Sequence, residues 1–425
     1  MSPIGFRFFY GWVIVCVTWV CYGFGISPAF YSWGNFAAPM ISDLGLTRED
    51  IGGVFGLFNL INQCVGVLVG FALVRFGIRS VMVIGFLTTA FGMLYLTQAT
   101  SPFDCYMGFA VLGGMGVGFS TVAPCQTLAQ NWFLRRRALV LAVIFTAGGL
   151  VAVPVVSAGS FVLEHYDWRV GWLMIAVISM TLAAISVALV RDTPEVIGQL
   201  RDGVSSEKRC DLKLATESTQ TDWTASQAVR TSQFVLVVVC SVAYVAPWSS
   251  VVAHLNLHLQ DIGYPSTLAA SFVGMMALIS IAGRLFGTVG DWVPPQYVLA
   301  SALVLEGLGV GGLVLARSEA ITYVCIVLLA FGFGTAYVSI PVVVSRFFGR
   351  RAFSVTTGVR LTITGLVSGP GPWLTGRLFD ATGTYTISFL GLMVVGLVGA
   401  ASAALLRHPG VPPPRGLALS PRDAN

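Results

Sequence analysis

Charge is what this chain has least of. Of its 425 residues only 10% are Asp, Glu, Lys or Arg, against about 25% in an ordinary soluble domain. A chain so short of charge cannot clothe a water-facing surface, which excludes a soluble globular protein. The eight cysteines (Cys16, Cys21, Cys64, Cys105, Cys125, Cys210, Cys240 and Cys325) are scattered, with no CxxC and no metal spacing, and read as small packing residues. Phosphate-binding loop, catalytic triad and metal motif are all missing. An ATP-driven pump is therefore excluded as a single-chain activity, no cofactor or metal is expected, and nothing points to an enzyme. The net charge of +5 gives no reason to expect nucleic acid, because here the placement of charge matters more than its sum.

What is abundant is apolar: 56% hydrophobic residues and 48 glycines, with a mean hydropathy of +0.81. Runs long enough to cross a bilayer lie near 9–30, 52–74, 80–99, 105–130, 138–163 and 169–190, then near 232–257, 266–290, 297–316, 320–345, 352–376 and 384–406. The reading is an all-α membrane protein of twelve transmembrane helices, its lipid partner the bilayer. The division is 1–190 for one half, 191–230 for a polar central loop, 231–406 for the other half and 407–425 for a tail. The first run is too long for a cleavable signal and lacks a clear small-residue cleavage site.

Lys and Arg set the expected orientation. With both termini cytoplasmic, eighteen of the 24 basic residues fall on the inner face and four (Arg48, Arg169, Arg317 and Arg377) on the outer. That is the asymmetry of a multi-pass protein of the cell (inner) membrane. The halves also repeat. Asn131-Trp-Phe-Leu-Arg-Arg-Arg-Ala138 precedes the fifth run, and Ser345-Arg-Phe-Phe-Gly-Arg-Arg-Ala352 precedes the eleventh, each after a glycine-rich stretch. Two similar six-helix halves imply pseudo-twofold symmetry with a substrate site between them near midplane, and the glycines allow close helix approach.

Two arginines remain, inside runs. Arg284 sits in Ser271–Asp291, seven residues from the polar break, or roughly 10 Å at helical rise. A guanidinium at that depth marks a functional site by default; the plainer alternative is a side chain that snorkels to the interface. Arg360 lies nine residues past Arg351, roughly 13 Å in, with hydrogen bonding to backbone in a packed helix end as its alternative. A guanidinium fork matches the two oxygens of a carboxylate. Two unpaired arginines in a low-dielectric cavity repel by several kcal/mol, and a bound anion relieves that.

Gly70-Phe-Ala-Leu-Val-Arg75-Phe-Gly77-Ile-Arg79 is similar to the loop signature of the major facilitator superfamily, although Val74 stands where that family usually has an aspartate. The second copy, Gly287-Thr-Val-Gly-Asp291, keeps the acid and loses the following arginines. The chain resembles a transporter of that superfamily, and the resemblance implies a cytoplasmic latch formed by Gly70, Arg75, Gly77, Arg79, Gly287 and Asp291. Phe9-Tyr-Gly-Trp12, Leu46-Thr-Arg48-Glu-Asp-Ile51, Asp167-Trp168-Arg169, Asp192-Thr-Pro-Glu195 and Gly369 to Tyr385 resemble bacterial members of the monocarboxylate-transporter and oxalate:formate-antiporter groups. Those relatives bind substrate carboxylate through a basic residue in span eight, the place of Arg284, and the antiporters add a cation in span eleven, the span of Arg360.

The resemblance implies a secondary transporter of small organic anions, expected as a monomer; the competing reading is an exporter of drugs or larger amphiphiles. It also places Tyr22, Tyr31, Asn35, Gln126, Tyr244, Trp248 and Tyr337 on cavity-lining spans, with an interfacial aromatic belt as the alternative for each Tyr and Trp. Proton-coupled relatives use a lysine in span one and an aspartate one turn before the span-eight arginine. Here residues 9–40 carry no charge and Ser280 stands four before Arg284, so exchange is expected over proton symport. His254 is counted with the substrate-binding residues, and protons remain a candidate partner through it, since its ordinary titration lies near neutrality; a hydrogen-bonded place near a helix end is its alternative, and Glu306 in span nine is expected to be structural.

Overall fold

The computed structural model describes residues 9–133, 137–199, 223–287, 289 and 293–409, and these are helical throughout, without a strand. Lipid offers the backbone no hydrogen-bond partner, so a chain this apolar must satisfy its amides within helices. Among the described residues, ten helices are individually long and apolar enough to cross a bilayer. The first is Gly11–Leu44. The second crossing is split at Val65 into Arg48–Cys64 and Gly66–Phe76, the third is Ile78–Leu96, and the fourth runs from Pro102 to Trp132 with a π-helical turn at Tyr106–Gly113. The fifth is Arg137–Leu150 with Ala152–His165 and the sixth Trp168–Leu189. The other half holds Ser232–Asp261, Ser266–Phe286, Pro295–Gly312, Glu319–Ser368 with Pro370–Thr382, and Thr386–Ala404.

Glu319–Ser368 is one unbroken helical stretch of 50 residues, yet it supplies both the tenth and eleventh crossings. Phe333 lies 5.7 Å from the ring of Tyr244, and Arg360 donates to Ser241 Oγ at 3.0 Å. A straight helix would hold positions 333 and 360 about 40 Å apart. Both reach one turn of the seventh span, so the chain doubles back between them. Twelve crossings result, in two groups of six.

Caps fix the helix starts. Thr47 and Asp50 form a capping box on the second span, which satisfies two otherwise orphaned donors; Thr231 and Ser318 cap the seventh and tenth spans. Glycine sets the packing distance. A Cβ at Gly85 would lie 2.8 Å from Gly116 O, joining the third and fourth spans, and one at Gly149 would lie 2.6 Å from Ala277 O, joining the fifth and eighth. Backbones approach this closely only without a side chain between them.

The halves close on each other at the end carrying Arg48. Cβ atoms at Gly52, Gly56 and Gly376 would overlap Pro372 O, Gly369 O and Arg48 O respectively, so the second and eleventh spans touch backbone to backbone. At the opposite end, which carries most of the arginines, Cβ atoms at Gly66 and Gly70 would meet nothing within 4 Å. The molecule is closed at its arginine-poor end, while at the other end Gly66 and Gly70 of the second span have open space beside them.

Candidate functional site

Arg284 occupies the last turn of Ser266–Phe286, where unpaired carbonyls at a helix C-terminus favour a cation. Its Nη1 donates to Phe145 O across the junction of the halves at 2.6 Å, and its guanidinium lies 4.9 Å from the ring centre of Tyr337. Its Nε is buried without a partner. Gly283 makes the position possible: Thr335 of the tenth span bonds to Gly283 O at 3.0 Å, and a Cβ there would overlap Phe331 O.

Arg360 is 4% exposed. It donates to Ser241 and lies against Tyr244, and its Nε also has no partner. Three rings connect the two cations. Tyr337 beneath Arg284 is 6.0 Å from Phe333, Phe333 is 5.7 Å from Tyr244, and Tyr244 meets Arg360. Trp248 stacks flat on Phe333 at 3.7 Å. From the other half, Tyr22 packs on Phe145 at 5.0 Å and Phe145 on Tyr337 at 6.4 Å, while Tyr22 and Tyr31 lie within electrostatic reach of Arg284. Two arginines and the aromatic cluster that links them therefore form one site in the second half, and Phe145 and Tyr22 of the first half close on its Arg284 end.

Of the other expected lining residues, none has a described contact to the arginines. Gln126 is half-buried on the fourth span, and the described contacts do not bring it to the arginines. His254 is fully buried at the closed end, with Nε2 2.9 Å from Pro372 O and Nδ1 3.3 Å from the Tyr385 hydroxyl. Asn35 accepts from Asn256 at 2.9 Å across the halves, one level below that closure. Glu306 is fully buried with neither oxygen bonded, its Cβ pressed on Gly332 of the tenth span.

The latch residues are divided. Gly77 has a left-handed φ of 79°, which a side chain rarely adopts. A Cβ there would overlap Asp192, whose carboxylate accepts from Ile78 N at 3.0 Å and Arg79 N at 2.9 Å. Arg75 and Gly70 are exposed beside this turn, and a Cβ at Gly287 would lie 3.0 Å from Val338 on the tenth span. Asp291 lies outside the described residues. An acid thus sits at the first loop despite Val74, but it comes from the stretch after the sixth span. Its motif was visible in the sequence; its destination was not, since 114 residues separate Asp192 from Ile78.

Sequence reading also missed how the closed end is tied. Arg48 pairs with Asp261 at 2.9 Å, and the amides of Arg48 and Glu49 donate to Asp380 at 3.2 and 2.8 Å. Trp373 donates to Glu49 at 2.8 Å. The motifs around Arg48 and Asp380 were both legible, and only folding brings them together.

Known proteins agree with this architecture. Among curated proteins, Monocarboxylate transporter 13 of Bos taurus is 27% identical over 81% of this chain and 78% of its own length. Monocarboxylate transporter 4 of Gallus gallus is 24% identical over 93% and 82%, and the uncharacterized MFS-type transporter YhjX of Escherichia coli K12 is 21% identical over 77% and 79%. Among solved structures, a bacterial homolog of the human lysosomal transporter Spinster superposes with a TM-score of 0.71 at 15% identity, covering 95% of this chain and 97% of that one. That likeness is one of fold. The sequence profile of the Major Facilitator Superfamily matches residues 18–372, most of both halves, and the chain belongs to that superfamily of membrane transporters.

Proposed function

We propose that this protein is a secondary transporter that exchanges small organic anions, mono- or dicarboxylates, by alternating access of its two halves. The carrying observation is a pair of arginines, each with a buried and unpartnered Nε, on one aromatic cluster. Leaving a cation unpaired in a low-dielectric core is costly, and a carboxylate supplies both the charge and the acceptors that the forks lack. The names of the monocarboxylate-transporter relatives support the same substrate class.

In this reading the arginine-rich face is cytoplasmic, the membrane is the cell (inner) membrane, and the closed end is extracellular, so the site is shut off from the outside. Loop residues Gly70, Arg75, Gly77, Arg79, Gly287 and Asp291 latch the opposite state. Arg284 and Arg360 hold the anion, with Tyr22, Tyr31, Tyr244, Trp248 and Tyr337 around it. An empty site must reorient with two uncompensated cations, whereas a loaded site is neutralised, so loaded reorientation is the faster step. The engagement of both His254 nitrogens at the closed end favours exchange, since it leaves that ring no free position toward the arginines.

Proteoliposomes test this directly. Labelled-acid entry is measured with and without unlabelled acid inside, at equal pH and with an inward proton gradient. Internal acid should raise entry at least several-fold, and the gradient should change it little. Strong gradient-driven accumulation into empty vesicles would make this a proton symporter instead.

A further inference from the structure

Helical hydroxyls in this protein ordinarily bond the carbonyl one turn back. Ser241 bonds Val237 O, Ser339 bonds Thr335 O, Thr362 bonds Gly358 O and Thr375 bonds Gly371 O, at 2.8 to 3.1 Å. Three side chains of the eleventh span do not. Thr357 Oγ1, Thr364 Oγ1 and Ser368 Oγ are enclosed and without a partner, as is Arg360 Nε between them. Thr364 is fully buried and Ser368 is 2% exposed. Unmade hydrogen bonds on buried donors are rare enough that each calls for a reason.

These four positions share one face. At about 100° per residue, positions 357, 360, 364 and 368 fall within an arc of roughly 80°. One edge of the arc meets the seventh span, where Arg360 reaches Ser241 and a Cβ at Gly371 would lie 3.1 Å from Ser250 Oγ. Beyond the other edge lie Gly365, Gly369 and Gly376, which press on Gln63, Leu60 and Arg48 of the second span. The arc between those edges is buried between contacts to the seventh span of one half and the second span of the other. Ser250 Oγ on the seventh span is likewise buried and unpartnered.

We propose that this stripe is a hydroxyl-recognising subsite, so that the preferred substrate is a polyhydroxylated carboxylate with its carboxylate on Arg360 and its hydroxyls along Thr364, Ser368 and Ser250. The inference rests on the carboxylate reading above and narrows it. Thr364 lies one turn from Arg360, about 6 Å, and Ser368 two turns, about 12 Å. With a hydrogen bond of about 2.8 Å at each end, an extended acid of about six carbons fills that interval. Short acids would leave the hydroxyls unpaired, and an alkyl acid of equal length would bury them against methylenes. Both outcomes disfavour binding, since a site built to hydrogen-bond a hydroxyl rejects the analogue that lacks it.

Gluconate and hexanoate share six carbons and one carboxylate and differ in the hydroxyls. In proteoliposomes, gluconate should compete with labelled-acid exchange at least tenfold better than hexanoate. Thr364→Val with Ser368→Ala should reduce that ratio about tenfold, and Thr364→Ser, which restores a hydroxyl, should recover it. Equal competition by the two acids in the wild type overturns the proposal, as does a ratio unmoved in the double variant. If the double variant fails to insert, the thermal shift of the wild-type protein by each acid decides: no gluconate preference overturns the subsite. Failure of the carboxylate reading is distinct, because then neither these acids nor acetate nor oxalate competes, and the subsite falls with it.

Discussion

Arg284 is the residue on which the transport proposal leans hardest, and its geometry explains why lysine should not replace it. The guanidinium donates to Phe145 O with one nitrogen while its plane lies over Tyr337, leaving Nε free for an anion. A lysine carries the charge but not the fork or the flat face. Arg284→Lys should therefore lower exchange by at least tenfold with normal membrane insertion, and near-normal exchange would remove Arg284 from the site. Arg360 makes a different demand. If it anchors a second negative group, Arg360→Gln should impair oxalate exchange several-fold more than acetate exchange. Equal losses would mean that a single carboxylate already rests on Arg360, and unchanged exchange of both acids would assign Arg360 to the packing of the seventh and eleventh spans through Ser241. The sequence showed both arginines as misplaced charges in apolar runs. It could not show that three rings join them, because Tyr244, Phe333 and Tyr337 look like any aromatic of a membrane span.

At the scale of elements, the second and eleventh spans are matched by glycine. Gly52 and Gly56 meet Pro372 O and Gly369 O, and Gly376 meets Arg48 O. Closure of the arginine-poor end requires all three to lack a side chain. Gly56→Leu should leave each half folded, since its clash lies between them, and should hold the carrier open at that end. Disulfide formation between E49C and D380C checks this: these positions bond in the closed state through the Glu49 amide, so cross-linking should fall at least several-fold in Gly56→Leu. Unchanged cross-linking would mean that the spans slide rather than separate. The sequence placed the tenth and eleventh crossings as separate spans, although helical backbone runs on through the turn between them. Apolar length is set by composition, whereas the course of the charged connection is set by how the halves pack.

For the whole molecule the question is what holds one end shut. Asp380 accepts two amides at the start of the second span, a helix N-terminus that favours an anion. Arg48 reaches Asp261 and Tyr385, and Tyr385 reaches His254. The Arg48–Asp261 pair is partly exposed, so it contributes at most about 1 kcal/mol. Asp380→Asn keeps the shape and removes the charge, at a cost to the closed state of about 1 kcal/mol. A cysteine at Val252, buried under the closure, should then react with a membrane-impermeant maleimide several-fold faster than in an otherwise wild-type chain. An unchanged rate would place the hold on the glycine contacts alone.

The sequence by itself determined the membrane fold, the twelve crossings, the internal repeat and the superfamily. Each of these follows from local quantities: apolar length, glycine density, charge placement and short motifs. It also singled out Arg284 and Arg360, since a charge inside an apolar run is anomalous wherever the run ends up. Tertiary structure alone decided which residues share a site. Asp192 reaches the loop whose own acid is missing at Val74, Asp380 caps a helix 332 positions away, and His254 turns to the closed end rather than to the arginines. Thr364 and Ser368 pass in the sequence as ordinary helical hydroxyls. Only the folded chain shows them without partners, because hydrogen bonding is a property of neighbours in space, and in this molecule the decisive neighbours lie far apart along the chain.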